Sequence, residues 1–179
     1  MSGRFRLTGR RAVLSLLTVG FVTTAVSSSR SVFGRESEGR TIARGGGTTM
    51  IAGGTGASGG FVPVLTKIAF HAERGGQGVT GTLDCLALVP EADTGSESGQ
   101  FTKNAMYVVG HITSATVNGD IATLIGEATI TGLGAGDNVP FKLVVQKGGP
   151  GATSVLTVDS LSFPFNEVLL QGSFEVFSG

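Results

Sequence analysis

The sequence contains no tryptophan, one tyrosine and one cysteine among its 179 residues. A single cysteine excludes a disulfide scaffold, which needs cysteines in pairs. The charged fraction is only 15% while 40% of the residues are hydrophobic, and this balance is not that of a disordered chain. The 30 glycines do not recur at every third position, so a collagen-like helix is also excluded. The composition is typical of one ordinary globular domain with an additional segment.

Basic residues are scarce outside the N-terminal quarter of the chain. Residues 1–44 contain eight arginines and two acids, a net charge of +6, whereas residues 45–179 contain five basic and eleven acidic side chains, a net charge of −6. The main body is therefore acidic and would repel the phosphate backbone of a nucleic acid. We predict no nucleic-acid partner.

The basic N-terminus has the organisation of a secretory signal. Arginines precede an acid-free apolar run of 15 residues at 12–26, and small residues follow it. A membrane-spanning helix needs about 20 predominantly apolar residues, so this run is too short for a permanent span. We expect a signal helix within residues 1–29 and a secreted or cell-surface product. Arg10-Arg11 before the apolar run also resembles the twin-arginine export signal.

Glycine dominates the segment that follows. Residues 30–60 begin with a polar part rich in serine and arginine, and eight of the sixteen residues at 45–60 are glycine. This composition predicts a flexible linker. Alternatively, the glycine clusters flank a short first strand at 48–52. No helix-forming segment follows the glycines, so they do not indicate a nucleotide-binding loop.

From Phe61 onward, hydrophobic residues recur at every second position, which is the period of a β-strand with one buried face. Glycine-rich turns separate about seven or eight such segments at spacings of roughly 8 to 12 residues. No stretch of residues 61–179 has a helical spacing of apolar residues. The pattern predicts an all-β domain over residues 61–179, built as an antiparallel β-sandwich or a small barrel.

One hairpin can be placed in the sequence. Asn118-Gly119 lies between two β-patterned runs and predicts a tight turn of type I′, in which both central residues have positive φ. In that register Val117 faces Asp120. The residues then expected to share the core side of the sheet are Thr113, Ala115, Val117, Ala122 and Leu124.

Several segments of the β-patterned region resemble one known family. They are Gly45-Gly46-Gly47, Ile68-Ala69-Phe70-His71-Ala72, the run TVNGDIATLIGEATITG at 116–132, Gly148-Gly149-Pro150-Gly151 and LLQGSFEV at 169–176. Together they resemble the post-COAP domain, a family of secreted bacterial β-domains. The resemblance spans about residues 45–176 and implies an all-β extracellular module. It supplies no catalytic residue.

The residue types that carry chemistry are few and dispersed. Cys85 alternates with the presumed core residue Leu83, which predicts a buried and inert thiol. His71 and His111 are the only histidines, and two histidines without a clustered third ligand do not make a zinc site. No G-x-S-x-G nucleophile elbow occurs. We therefore predict no catalytic, cofactor-binding or metal-binding residue, no cofactor and no enzymatic activity.

The acidic loop at residues 91–99 is the segment whose composition best suits a metal ion. Its candidate oxygen ligands for calcium are Glu91, Asp93, Thr94, Ser96 and Glu97. The loop lacks the full D-x-[DN]-x-[DN]-G spacing of an EF-hand, so a solvated β-turn is the preferred interpretation.

Two classes of function fit these observations. The first is an exported, non-enzymatic β-module with a structural or partner-binding role, and the alternative is a small barrel that binds an apolar small molecule or catalyses a simple isomerisation or cyclisation. The residues predicted to face inward are nearly all aliphatic or phenylalanine, whereas a binding pocket needs convergent polar groups, so the module is favoured. A closed cavity larger than about 300 Å³ with Tyr107, His111 or Cys85 pointing into it would reverse this preference. The two open edges of a sandwich also predict self-association through edge strands.

Overall fold

The computed structural model describes residues 39–51, 63–90 and 101–178. These residues form eight antiparallel strands and no helix, which confirms the predicted all-β class. The strands are β1 (Arg40–Ile51), β2 (Leu65–Gly75), β3 (Gly78–Pro90), β4 (Phe101–Asn118), β5 (Ile121–Gly132), β6 (Gly136–Gln146), β7 (Thr153–Val158) and β8 (Phe165–Val176). A search of the same residues for a helix long and apolar enough to cross a membrane finds none.

The eight strands form one closed ring. Each strand pairs with the next strand in chain order, and β8 returns to pair with β1. The closing pairs run from Ala43↔Val176 to Ile51↔Glu167. Every strand of the described part therefore has a neighbour on both sides, and this ring has no open edge. The predicted self-association through edge strands depends on such open edges.

Alternate side chains fill the interior of the ring. Ile68, Phe70 and Ala72 of β2 are buried, while Lys67 and Ala69, which alternate with them, are exposed. The same alternation holds on β3, β5 and β6, as the sequence period predicts. The hydrophobic core is thus the inside of the ring, and the outer face is left to solvent.

Strand β1 lies within the segment that composition assigns to a linker. Residues 40–51 form one continuous strand, so the glycine cluster at 45–47 lies in the middle of a strand longer than the alternative one at 48–52. A Cβ atom on Gly47 would overlap the carbonyl oxygen of Gln171 on β8. Glycine is needed there because β1 and β8 approach closely. The expected signal at residues 1–29 and most of the remaining linker lie outside the described residues.

The β4–β5 hairpin has a different turn from the one predicted. Asn118 pairs with Ile121, so the two loop residues are Gly119 and Asp120 rather than Asn118 and Gly119. Of the loop residues only Gly119 has a positive φ, of 59°. This is the φ pattern of a type II′ turn, which has glycine at its first central position.

Two β-bulges move predicted core residues to the outside. Thr113 falls at the register shift between Ile112 and Ser114 and is exposed. Leu170 is the extra residue where β8 shifts against β1, and 46% of it is exposed while Leu169 is buried. A bulge adds one residue to one strand, so the parity of the side chains changes across it.

Replacing Gly47 with alanine should destabilise the ring. The added methyl group meets the Gln171 carbonyl and the Leu169 side chain, so we expect a loss of about 1 to 3 kcal/mol in the free energy of unfolding. Gly75→Ala is the matched control, because a Cβ there has no atom within 4 Å. Urea unfolding of both variants gives the comparison, and equal stability would show that β1 and β8 do not approach as described.

Candidate functional site

Four polar side chains are buried inside the ring. Thr49, Thr66, Ser154 and Glu167 are each no more than 3% exposed. We refer to these four residues as the buried polar cluster. Hydroxyl and carboxyl groups at this depth lose their hydration and need hydrogen-bond partners inside the protein. The interior is therefore not wholly apolar, in contrast to the inward-facing set derived from the sequence.

Strand pairing brings the four residues together. Thr49 pairs with Thr66 across β1 and β2, and Ser154 pairs with Glu167 across β7 and β8. The pairing of β8 with β1 then joins the two halves of the cluster. Thr49 and Glu167 are 118 positions apart in the sequence, so only closure of the ring makes them neighbours.

The hydroxyl of Thr49 lies close to two possible hydrogen-bond acceptors, the Glu167 carboxyl and the backbone carbonyl of Thr66. The Oγ1 atom of Thr49 is 2.5 Å from Oε2 of Glu167 and 3.3 Å from the carbonyl oxygen of Thr66. Thr49 has a single proton to donate. An ionised Glu167 would accept that proton. A neutral Glu167 would instead donate its own proton to Thr49, and Thr49 would then donate to the Thr66 carbonyl.

Burial raises the pKa of Glu167 above the ordinary glutamate value of 4.5, because the ionised form would lose its hydration. Three hydroxyls oppose this rise. Thr49 is hydrogen-bonded to the carboxyl, while Thr66 and Ser154 lie near it without a bond of normal geometry. The direction of the shift favours the neutral carboxylic acid, which can donate a hydrogen bond.

Two hydroxyls of the cluster have no hydrogen bond of normal geometry. Oγ1 of Thr66 and Oγ of Ser154 are enclosed, and neither has a hydrogen-bond partner among the described residues. Buried polar atoms without a partner are rare in folded proteins. Each of these hydroxyls can donate one hydrogen bond and accept others, so the cluster offers free hydrogen-bonding capacity next to the Glu167 carboxyl.

A shallow groove on the outside of the ring leads to the cluster. Strand β7 has only six residues and pairs with β8 at four positions, which makes this the shortest seam of the ring. The groove at the seam has a volume of about 290 Å³ and is lined by Thr153, Ser154, Val155, Asn166, Glu167 and Val168. Ser154 and Glu167 therefore belong both to the groove and to the buried polar cluster.

Cys85 is buried in the interior, as the sequence predicts. Burial raises the pKa of its thiol well above the usual 9.0, and charge on Glu167 and Asp84 would raise it further. The sulfur is therefore a neutral thiol inside the ring.

The other residues singled out in the sequence are not brought together. Tyr107 lies on the outer face, where its hydroxyl donates to Oδ2 of Asp84 at 2.8 Å, and this bond raises the pKa of Tyr107. His111 is also exposed on β4. His71 is half-exposed, with Nε2 3.4 Å from Oε2 of Glu73.

The acidic loop at residues 91–99, whose preferred interpretation is a solvated turn and whose alternative is a calcium site, lies outside the described residues. Within the described ranges, no group of three histidine, cysteine or acidic side chains is arranged to hold a metal ion.

Comparison of the chain with protein-family models, curated proteins and solved structures finds no match. The resemblance to the post-COAP domain therefore stays a prediction, and the site has to be interpreted from its own geometry.

Thr49 and Thr66 provide a direct test of the hydrogen bonding. Thr49→Val removes the bond to Glu167 and should lower the free energy of unfolding by about 1 to 2 kcal/mol. Thr66→Val removes an unpartnered hydroxyl of the same size and should leave stability unchanged or raise it. Chemical unfolding of both variants separates them. Equal losses would mean that the Thr66 hydroxyl has a partner.

The raised pKa of Glu167 predicts a pH dependence of stability. An acid whose folded pKa lies above its unfolded value binds more protons in the native state, so stability falls as the pH rises from about 4.5 through the folded pKa. Glu167→Gln should remove this slope while other groups keep theirs. Unfolding free energies of both proteins between about pH 4 and pH 8 give the difference curve. A wild type that gains stability over the variant with rising pH would contradict the assignment.

Proposed function

We propose that the ring is a small β-barrel whose interior binds a small, mostly apolar molecule that carries one neutral hydrogen-bonding group. Eight-stranded barrels have an interior that side chains fill or that holds one small ligand. Binding pockets combine an apolar lining with a few convergent polar groups. The buried polar cluster inside a hydrophobic interior has this composition.

The observation that carries the proposal is the pair of enclosed hydroxyls without partners. Thr66 and Ser154 are positioned to bond a ligand group, and Glu167, whose pKa is raised by burial, adjoins both. A neutral cluster does not favour an anionic or a cationic ligand through net charge. A carbonyl or hydroxyl oxygen on an apolar body satisfies these donors best.

The short seam between β7 and β8 supports a route to this site. Only four ladder pairs join the two strands, and backbone hydrogen bonds of Gly151 and Ala152 to Leu169 hold the chain just before β7, so a local opening would be confined to residues 153–156 of β7. The groove at the same place already touches Ser154 and Glu167. We therefore propose that the ligand enters between β7 and β8.

The buried polar cluster also changes the ranking made from the sequence. A non-enzymatic module was favoured because no inward polar group was expected, and Thr49, Thr66, Ser154 and Glu167 remove that reason. A structural or partner-binding role, self-association and the absence of catalysis stay predictions. Export to the cell exterior also stays a proposal, supported by the signal-like residues 1–29, and N-terminal sequencing of the exported product tests it.

Ligand binding can be tested with prodan, a neutral naphthalene ketone whose fluorescence shifts to the blue in apolar surroundings. The full chain should bind prodan with a blue shift. Ser154→Leu should abolish this signal, because the larger apolar side chain occupies the site and removes a donor. Thr66→Val should weaken binding about ten-fold, the loss expected for one hydrogen bond in a buried site.

The control is Val109→Thr, which alters an apolar side chain that is 44% exposed on the outer face. This variant should bind prodan as the wild type does. Binding that survives Ser154→Leu and Thr66→Val, or that is lost in Val109→Thr, would place the probe on another surface and overturn the proposal. Thermal unfolding of each variant checks that it is folded.

A further inference from the structure

A second candidate site lies at the other end of the ring, where β1 begins and β2 ends. A mouth of about 250 Å³ is lined by Arg40, Thr41, Ile42, Arg74, Ala115, Val117 and Phe177. Strands β1 and β4 are separated by two other strands in the ring, so their side chains can meet only across its interior. The space is therefore the open end of the interior and not a groove on the outer wall.

Two arginines lie on the rim of this mouth. Arg40 pairs directly with Arg74 across β1 and β2, so both side chains project to the same face of the sheet. Ala72, two residues before Arg74, faces the interior, and strand alternation gives Arg74 the same direction. Like charges directly opposite each other destabilise a sheet, and an anion between them would relieve the repulsion.

The charge of these two arginines is not balanced by a nearby acid. Among the described residues, no carboxylate forms an ion pair with Arg40 or Arg74, and Arg40 donates only to the backbone carbonyl of Ser178, at 2.8 Å. Arg44, also on β1, is different because its Nε lies 2.6 Å from Oε2 of Glu175. Within the part of the chain that the structure describes, the rim therefore has two guanidinium groups without a carboxylate partner.

The wall of the mouth is apolar. Ile42 and Ala115 are buried and Val117 is partly buried, and Phe177, whose ring packs against Arg44, lies at the edge of the lining. Guanidinium groups bind carboxylates through paired hydrogen bonds, and hydrocarbon favours contact with the aliphatic wall. A small ion without an apolar part would contact only the two arginines of the rim and would leave the apolar wall exposed to water.

We propose that this mouth binds an alkyl carboxylate, with the carboxylate between Arg40 and Arg74 and the alkyl chain against Ile42, Ala115 and Val117. The site is separate from the buried polar cluster and does not depend on the function proposed for it. Its ligand differs in charge from the neutral molecule expected at that cluster.

Isothermal titration calorimetry of the full chain with octanoate tests this site. Octanoate should bind, and 1-octanol, acetate and inorganic phosphate should each bind at least about ten-fold more weakly, because each lacks either the charge or the chain. Arg74→Gln should weaken octanoate binding by about ten-fold or more, the effect of losing a charge-assisted hydrogen bond. Lys142→Gln is the control and should leave the affinity unchanged, because Lys142 is an exposed cation on β6 that does not line the mouth.

Methyl NMR gives the position of the bound octanoate. The Val117 methyl signals should shift, while those of Leu133, at the opposite end of the ring, should not. Octanoate binding that is equal in Arg74→Gln and wild type, or a shift at Leu133 alone, would overturn the proposal. Equal affinity for octanol would show that the carboxylate charge is not recognised. Equal affinity for phosphate or acetate would show that the alkyl chain is not recognised. Either result also rejects the proposal. Thr66→Val should leave octanoate binding intact, which separates this site from the buried polar cluster.

Discussion

The pairing of β8 with β1 is the constraint on which the rest of the structure depends. It joins the two ends of the sheet, so that the inward side chains of all eight strands face a common interior. Without it, Thr49 and Glu167 would lie at opposite edges of an open sheet. The pairing requires a close approach of two backbones, which the glycines at positions 47 and 172 permit. The glycine-rich segment therefore has a structural role in the ring.

A buried carboxyl is costly unless it is neutral or well bonded, and Glu167 combines both solutions. Burial favours the protonated form, and Thr49 supplies the one clear hydrogen bond. Two further hydroxyls remain without partners. An interior optimised for stability alone would carry valine or alanine at those positions, and the proposed ligand would supply the partners that the two hydroxyls lack.

The two ends of the ring differ in chemistry. One part of the interior contains the Glu167 carboxyl with three hydroxyls, and the opposite mouth carries two arginines that have no carboxylate partner among the described residues. The cationic mouth would favour an anionic ligand through its charge. The buried polar cluster would favour an uncharged ligand through hydrogen bonds, so the two proposed sites differ in the ligands they would bind. A single fold can support both because its interior has two ends.

The sequence alone determined the all-β class and the inward direction of most strand residues, because a period of two follows directly from the geometry of an extended chain. Three features depended on the tertiary structure. The composition of residues 40–51 predicted a linker because glycine permits many conformations, and pairing with β2 and β8 selects the extended one. The bulge at Leu170 reverses the side-chain parity of β8, so the period of two in the sequence did not predict that Glu167 faces inward. The buried polar cluster itself joins residues far apart in the chain, and only ring closure brings such residues into contact.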